Sequence, residues 1–306
     1  MKLEGLHHIT MITGDARGNV DFYADLLGLR LVKKTVNFDA PDAYHLYFGD
    51  EQGSPGTILT WFEFAGVRPG SAGAGMIHTL KLGVAGEDAL SFWEQRLAAA
   101  GCLGERAEGS LRFTDHDGLG LELVTAWEGN EPLRARHPEI PPEHAIGGVE
   151  GARAYLGGDL QADAELLTET LGFLETGPGE YLLQGEQRTF TWAYDAPSEH
   201  GRQGAGTVHH IAWHSRDEDH EAWRQLLAEA HMHVTPVIDR DYFLSIYFRE
   251  QQGILFEIAT TSPGFAVDED PAHLGEQLRL PRQHEHLRTR LERELTPLVN
   301  PRATDA

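Results

Sequence analysis

The chain repeats one order of apolar and polar positions, in which a short strand-like run precedes a helical stripe and further strand-like runs. Its clearest copy is residues 206–261, whose first run carries His209 and His210 among β-branched and aromatic residues. The helix that follows places Trp223 and Leu227 on one face, at the spacing of a buried helical stripe. This pattern predicts a βαβββ module.

Three further copies show the same order, and internal repetition is stronger evidence for an architecture than local propensity. They start at Leu6, at Ile77 and near Ala152. A glycine after the apolar stripe marks the helix end in the first and third copies, at Gly28 and Gly172. The sequence therefore predicts an α+β fold of four βαβββ modules that form two domains, each a curved, mostly antiparallel sheet around a cleft.

A segment rich in Pro, Glu and Gly separates the second copy from the third and predicts where the domains divide. Residues 1–130 would form an N-terminal domain with modules 1 and 2, and residues 149–262 a C-terminal domain with modules 3 and 4. Residues 131–148 would be the linker. The remaining residues, 263–306, form an extension whose charged and leucine positions indicate a helix with one apolar edge. That helix is predicted to pack across the barrel surface or to contact another subunit.

The acidic composition narrows the range of partners. Asp and Glu outnumber Lys and Arg by 48 to 25, and a net charge of −23 argues against binding to nucleic acid or an anionic membrane surface. The single cysteine, Cys102, excludes an internal disulfide, and no apolar run approaches the roughly 20 residues that span a bilayer. We expect a cytoplasmic protein with a small-molecule partner, and a homo-oligomer is compatible with this composition.

One acidic residue in the fourth copy lies in an unusually apolar run. Glu257 is the single acid of the predicted strand 254–260, and a buried carboxylate is costly unless a cation or several donors satisfy it. The preceding residues 251–253 fit a three-residue hairpin loop with glycine in the left-handed conformation. That register places Tyr247 directly opposite Glu257, although a slip of one residue would separate them.

Two of the 17 histidines occupy equivalent positions in the repeat. His8 and His210 are each the second histidine of a His-His pair followed by isoleucine, whereas His45 is interpreted as solvated or structural. Two histidines and one carboxylate are the ligand set of non-haem Fe(II) that activates oxygen, and Mn(II) or Zn(II) can use the same set. The alternative is that both histidines are ordinary buried strand residues and that Glu257 pairs with Arg240.

The four modules and three motifs resemble the vicinal oxygen chelate superfamily of glyoxalases, bleomycin resistance proteins and dioxygenases. The motifs are L-H-H-I-T at residues 6–10, V-H-H-I-A at 208–212 and G-I-L-F-E-I-A-T at 253–260. More narrowly, essentially the whole chain resembles ring-cleaving dioxygenases that act on hydroquinones.

This resemblance implies that the first and last modules pair around one cleft, with His8, His210 and Glu257 as the metal ligands. It also implies catalytic roles for Arg240, Tyr247 and His7 around that metal. Strand alternation turns His7 away from its neighbour unless a β-bulge intervenes.

The implied activity is that of an Fe(II)-dependent, extradiol-type dioxygenase that uses O2 and a small aromatic substrate. A glyoxalase-type metal-dependent isomerase or lyase is the first alternative, and it normally needs a carboxylate from each paired module, where this chain has Thr60. A non-catalytic binding or resistance protein is the second, and it would usually lack the three ligands. Modules 2 and 3, with Thr79 at the ligand position and no histidine around Ala154, are predicted to be structural.

Overall fold

The computed structural model describes residues 1–197 and 199–302 as two eight-stranded sheets flanked by short helices. The first module comprises β1 (Leu6–Thr13), α1 (Ala16–Asn19, continued by a π-helical stretch Val20–Leu26), β2 (Arg30–Val36), β3 (Tyr44–Gly49) and β4 (Ile58–Glu63). The second comprises β5 (Ile77–Val84), α2 (Glu87–Ala99), β6 (Glu105–Ala107), β7 (Ser110–Thr114) and β8 (Gly120–Thr125).

The second half of the chain repeats this order. The third module comprises β9 (Val149–Tyr155), α3 (Gln161–Glu165, continued by a π-helical stretch Leu166–Thr170), β10 (Leu174–Gly177), β11 (Glu180–Gln184) and β12 (Thr189–Asp195). The fourth comprises β13 (Thr207–His214), a 3₁₀ turn (Asp217–Asp219), α4 (His220–Glu229), β14 (Ile238–Asp239), β15 (Leu244–Arg249) and β16 (Leu255–Ala259). The prediction of four βαβββ modules in an α+β fold is confirmed.

The helices bury the stripes that the sequence pattern indicates. The side chain of Asp15 accepts a hydrogen bond from the Gly18 backbone and begins the first helix, as Asx residues at helix starts commonly do. Gly28 follows that helix with a φ of +71°, a left-handed conformation that favours glycine. In α2, Leu90 and Trp93 are fully buried against the sheet. The helices therefore cover one face of each sheet and leave the other face free to form a cleft.

The sheets combine modules from opposite ends of the chain. One sheet has the order β14-β15-β16-β13-β1-β4-β3-β2, and the other has the order β10-β11-β12-β9-β5-β8-β7-β6. The first strands of modules 1 and 4 pair antiparallel at the centre of one sheet, and those of modules 2 and 3 do so in the other. Each sheet thus draws one module from either side of the predicted linker. The domain boundaries at residues 130 and 149 stay a prediction.

The hairpin of the fourth module has the predicted register. Tyr247 lies opposite Glu257 across β15 and β16. The loop closes with a 3.1 Å hydrogen bond from the Glu250 backbone to the carbonyl oxygen of Ile254, and Gly253 has a φ of +102°. Glycine in that left-handed position allows the three-residue loop, and the loop in turn sets which side chains face each other.

The C-terminal extension is anchored on β2, the edge strand of the first module. The buried ammonium group of Lys33 forms ion pairs with the exposed Asp268, at 2.6 Å, and with the buried Glu269. The ammonium group of Lys34 donates to the backbone carbonyls of Glu276, at 3.1 Å, and Leu298, at 2.9 Å. Buried ammonium groups need such acceptors, so these contacts fix the extension to the sheet edge.

The extension contains further 3₁₀ turns (Phe265–Val267, Pro271–His273 and Arg282–Leu287) and α5 (Arg288–Glu294). The predicted helix is present, and its Leu291 is fully buried. Across residues 1–197 and 199–302, each helix is too short or too polar to span a lipid bilayer.

Candidate metal centre

Three side chains from β1, β13 and β16 converge on the concave side of the first sheet. His8 Nε2 lies 3.2 Å from His210 Nε2 and 3.4 Å from Glu257 Oε2, and the separation between His210 Nε2 and Glu257 Oε2 is 2.9 Å. The exposed fractions of the three residues are 2 %, 4 % and 0 %. The structure therefore brings together the two histidines and the carboxylate that the repeat alignment singled out, across about 250 residues of sequence.

A β-bulge beside each histidine sets its orientation. The register between β1 and β13 shifts by one residue at His7 and again at His209, so each His-His pair contains one bulged residue. His7 Nδ1 lies 2.8 Å from His8 Nδ1, and His209 Nδ1 lies 2.8 Å from His210 Nδ1. Because each Nδ1 is held by its neighbour, both Nε2 atoms are directed to the centre.

The three ligand atoms fit a single metal ion. Ligands at right angles, each about 2.1 Å from an ion, would be about 3.0 Å apart, close to the separations among these nitrogens and the oxygen. Within the part of the chain that the structure describes, Glu257 Oε2 is buried and has no hydrogen-bond partner, despite its short distance to His210. An oxygen lone pair left free beside two imidazole nitrogens is the arrangement that a divalent cation would complete.

The electrostatics of the cluster keep Glu257 ionised. Burial alone would raise the pKa of its carboxyl group, but the adjacent His8 and His210 outweigh burial and hold this pKa well below its usual value. Burial lowers the pKa of His210, so this imidazole is neutral at physiological pH. An ionised carboxylate and a neutral imidazole are the forms in which these groups bind metals. Ser245 donates a hydrogen bond to the other oxygen, Oε1.

A cavity of about 420 Å³ opens beside the three candidate ligands. Its walls are largely aromatic and include Phe38, Phe62, Phe64 and Phe243. A planar apolar molecule with few polar groups suits such walls.

Arg240 and Tyr247 line the same cavity on the β15 side. Arg240 Nε donates a 3.2 Å hydrogen bond to the hydroxyl oxygen of Tyr247, and the guanidinium group lies over the rings of Phe38 and Tyr247. Arg240 also pairs with Asp39 at 3.3 Å. Burial, followed by the nearby Glu257, raises the pKa of Tyr247, so its hydroxyl keeps its proton at neutral pH. The two groups together present a cation and a hydrogen-bond donor to the cavity.

The position equivalent to Glu257 in the first module holds Thr60, as the alignment predicted. Thr60 Oγ1 donates to Thr10 Oγ1 at 2.8 Å and lies 2.9 Å from His45 Nε2, while His45 Nδ1 lies 2.9 Å from the hydroxyl of Tyr47. Burial lowers the pKa of His45 well below its usual value, so His45 is neutral. This chain of hydrogen bonds leaves a hydroxyl where a fourth protein ligand would need an acid.

Sequence reasoning placed His7, Arg240 and Tyr247 near the centre, and all three are there. It missed His45, Tyr47 and Ser245, which hold Thr60 or Glu257 in place. The repeat could have indicated two of them, because β3 and β15 are equivalent strands. His45 on β3 contacts Thr60, and Ser245 on β15 contacts Glu257. The bulge at His7 removes the objection that strand alternation would turn this residue away.

The fold and the site together define a protein of paired βαβββ modules whose first and last modules share a candidate two-histidine, one-carboxylate metal centre. The sequence model of the Glyoxalase/Bleomycin resistance protein/Dioxygenase superfamily matches residues 5–123 and 153–258. The chain belongs to this superfamily.

Similar proteins include several from two bacteria. MhqO of Bacillus subtilis, named as a candidate ring-cleaving dioxygenase, is 44 % identical over 305 residues, which is 97 % of each chain. The chlorohydroquinone/hydroquinone 1,2-dioxygenase of Sphingobium indicum is 33 % identical over 327 residues, with coverage of 97 % of this chain and 98 % of that relative. A crystal structure of a candidate dioxygenase from Bacillus subtilis, 43 % identical, matches with a TM-score of 0.91 over 97 % of this chain and 98 % of the other.

Proposed function

We propose that the protein is an Fe(II)-dependent, extradiol-type ring-cleaving dioxygenase that acts on hydroquinone-type aromatics. The observation that carries this proposal is the convergence of His8, His210 and Glu257 on an aromatic cavity, with Thr60 where a fourth ligand would stand. Three protein ligands leave several positions of an iron ion free for substrate and oxygen. The names of the similar proteins support the same activity.

When bound, Fe(II) would bring the aromatic substrate and dioxygen together and let electrons pass between them. His8, His210 and Glu257 would hold it, and Mn(II) or Zn(II) would fit the same ligand types. His7 and His209 fix the ring orientations through their Nδ1 contacts. The ring carbon that bears the hydroxyl would be cleaved from its neighbour, with both atoms of dioxygen entering the product.

The protein's own groups bind and orient the substrate. A hydroquinone offers one oxygen to a metal, because its second hydroxyl lies on the opposite side of the ring, whereas a catechol offers two neighbouring oxygens. The single phenolate oxygen therefore needs further support, and the Arg240 guanidinium favours its ionised form. Tyr247, which keeps its hydroxyl proton, can donate a hydrogen bond to that oxygen. The phenylalanine walls exclude water around the ring.

The alternative of an isomerase that needs two carboxylates receives no support from the first module. Thr60 is fully buried and engaged with Thr10 and His45. The nearest acid on the same strand, Glu63, accepts a 3.3 Å hydrogen bond from the Ala16 backbone at the start of α1. It is an odd number of residues from Thr60 and so lies on the other face of β4. A binding protein without catalysis would have no need of the buried ligand set.

Anaerobic reconstitution with a single metal tests the proposal. The purified protein is loaded in separate samples with Fe(II), Mn(II) or Zn(II), and oxygen uptake is followed with hydroquinone, catechol or no substrate. We expect uptake with Fe(II) and hydroquinone to exceed uptake with catechol. Equal rates on both substrates would remove the substrate assignment, and uptake that is independent of added metal would remove the iron assignment.

A further inference from the structure

A second cavity reaches the candidate metal centre from the side of His7. It encloses about 410 Å³ and is separate from the substrate cavity, although both are lined by Phe243. We call it the back cavity and define it by the floor residues His7, Tyr242, Phe243, Phe265 and Leu274. All five floor residues are buried. The back cavity is therefore a pocket of the protein interior that ends within one residue of a candidate ligand.

The C-terminal extension provides the outer wall of this cavity. Residues 263–266, Pro271 and Leu274 line it, and the side chains of Pro263 and Ala266 at its rim are exposed. Its mouth is consequently open to solvent between the extension and the first module. The ion pairs of Lys33 with Asp268 and Glu269 hold the extension in this position.

A single aromatic ring separates the two cavities. The ring centroid of Phe243 lies 4.9 Å from that of His7 and 5.3 Å from that of His8. Phe243 is buried and contacts the substrate cavity on one side and the back cavity on the other. A rotation of this side chain would join the two spaces.

The chemistry of the back cavity suits a small apolar molecule. Among the described residues that line it, none is Lys, Arg, Asp or Glu, and its floor is mainly aromatic and aliphatic. Apolar cavities of this kind take up apolar gases such as xenon. Gln52, Ser54 and Thr261 add polar groups to its lining, but a charged ligand would lose its hydration there without an ion-pair partner.

We propose that the back cavity binds dioxygen and admits it to the metal centre past Phe243. This inference rests on the proposed function, because it concerns the second substrate of that reaction. An aromatic substrate seated in the cavity beside His8 and His210 covers the centre from the front. Oxygen that enters through the back cavity reaches the same centre without passing the bound substrate.

Xenon tests the cavity without any catalytic readout. Crystals of the purified protein are pressurised with xenon, and the anomalous signal locates the bound atoms. We expect xenon between Tyr242, Phe243 and Phe265. Xenon that is absent from the back cavity, or found in the substrate cavity alone, would overturn the proposal.

Narrowing the mouth tests the route. Ala266→Trp places a large side chain at the rim, and Val267→Trp is the matched control, because Val267 is exposed in the same segment and does not line the cavity. With the Fe(II)-loaded enzyme, we expect Ala266→Trp to lower kcat/KM for oxygen by roughly fivefold. The control should show the wild-type value, and in both variants the iron content and the KM for hydroquinone should be unchanged.

The outcomes separate the two proposals. If the wild-type enzyme consumes oxygen and Ala266→Trp has the same kcat/KM for oxygen as the wild type, the oxygen route is overturned and the proposed function stays in place. Equal losses in Ala266→Trp and Val267→Trp also overturn it, since the effect would then be unrelated to the cavity. A wild-type enzyme that consumes no oxygen with any hydroquinone overturns the proposed function itself.

Discussion

The two sheets share one topology, yet among residues 1–197 and 199–302 only the sheet of modules 1 and 4 brings a complete set of candidate ligands together. Each sheet has two bulges at equivalent places, at His7 and His209 in the first and at His78 and Glu150 in the second. The bulges are therefore a property of the module pair, and the chemistry depends on which residue follows each bulge.

The residues after the bulges are His8 and His210 in one sheet and Thr79 and Gly151 in the other. Gly151 has no room for a side chain, because a Cβ there would lie 1.9 Å from Thr191 Oγ1 and 2.6 Å from the Thr191 carbonyl oxygen. The second sheet is thus closed to a histidine at this position by the approach of the parallel strand β12. This steric contact is one physical reason why modules 2 and 3 do not reproduce the set of candidate ligands.

Both sheets have a glutamate at the equivalent position of the last strand of a module, Glu122 in one and Glu257 in the other. The groups that stabilise the charge of the two carboxylates differ. Glu122 lies opposite Arg112 on β7, and Arg112 Nε donates to Glu122 Oε1 at 2.9 Å. Glu257 lies opposite Tyr247, a neutral group; Ser245 donates a hydrogen bond to its Oε1, and two imidazoles lie beside its Oε2. A buried carboxylate needs a positive partner. One sheet supplies it as an arginine, whereas the other has the two imidazoles of the candidate metal centre.

The largest effect is expected from Glu257→Gln. The change keeps the size of the side chain and removes its charge, so we expect iron affinity and oxygen uptake to fall together, the latter by about a hundredfold or more. Metal analysis and oxygen uptake measure both, and circular dichroism checks the fold. The control is Glu122→Gln in the other sheet, which should retain iron and activity. Normal iron binding by Glu257→Gln would show that this carboxylate is not a ligand.

A side chain at Gly151 tests the steric part of the comparison. Gly151→Ala is expected to destabilise the protein by about 1 to 3 kcal/mol, because the new methyl group overlaps Thr191. Denaturation by urea measures the free energy of unfolding. Gly158→Ala is the matched control, since its nearest contact would be a side-chain oxygen at 3.8 Å. Equal stability of both variants would refute the steric account.

Tyr247→Phe removes the group that faces Glu257 where the second sheet has an arginine. The loss of one hydrogen bond to a charged oxygen costs about 1.5 to 3 kcal/mol, which corresponds to roughly a tenfold or greater fall in kcat with hydroquinone. Steady-state oxygen uptake measures it, and iron content should not change. A wild-type rate in Tyr247→Phe would remove this residue from the proposed mechanism.

The smallest effect concerns a contact between the third and fourth modules, where Glu250 lies near Asp163. Glu250 accepts hydrogen bonds from the backbone of Gln252 and Ile254, and it lies close to Asp163 of the third module. Burial, followed by Asp163, raises the pKa of Glu250, so the folded protein holds this proton more tightly than the unfolded chain does. Its contribution to stability is therefore complete below the unfolded pKa of 4.5 and is lost as the pH rises toward the folded value.

In the wild type, the free energy of unfolding should fall between about pH 5 and about pH 9. We expect this fall to be smaller by about 1 kcal/mol in Glu250→Gln. Urea denaturation at several pH values measures this, with the exposed Glu229→Gln as control. Identical pH profiles for Glu250→Gln and the wild type would contradict the prediction.

The sequence by itself determined the modules and the three candidate ligands. Apolar periodicity defines each strand and helix locally, and the repeat makes His8 and His210 equivalent without any knowledge of their distance. The hairpin loop that ends at Gly253 sets the register that places Tyr247 opposite Glu257. The sequence can predict this register because loop length and glycine conformation are local properties. Such features depend on residues that are neighbours in the chain.

The tertiary structure alone decided the rest. The bulges at His7 and His209 arise where two strands about 200 residues apart pair, so neither strand encodes them by itself. His45 became part of the cavity wall because Thr60 and Tyr47 satisfy its buried nitrogens. The back cavity forms only where the C-terminal extension meets the first and fourth modules. These features depend on contacts between distant segments, whose geometry follows from packing and hydrogen-bond satisfaction across the whole fold.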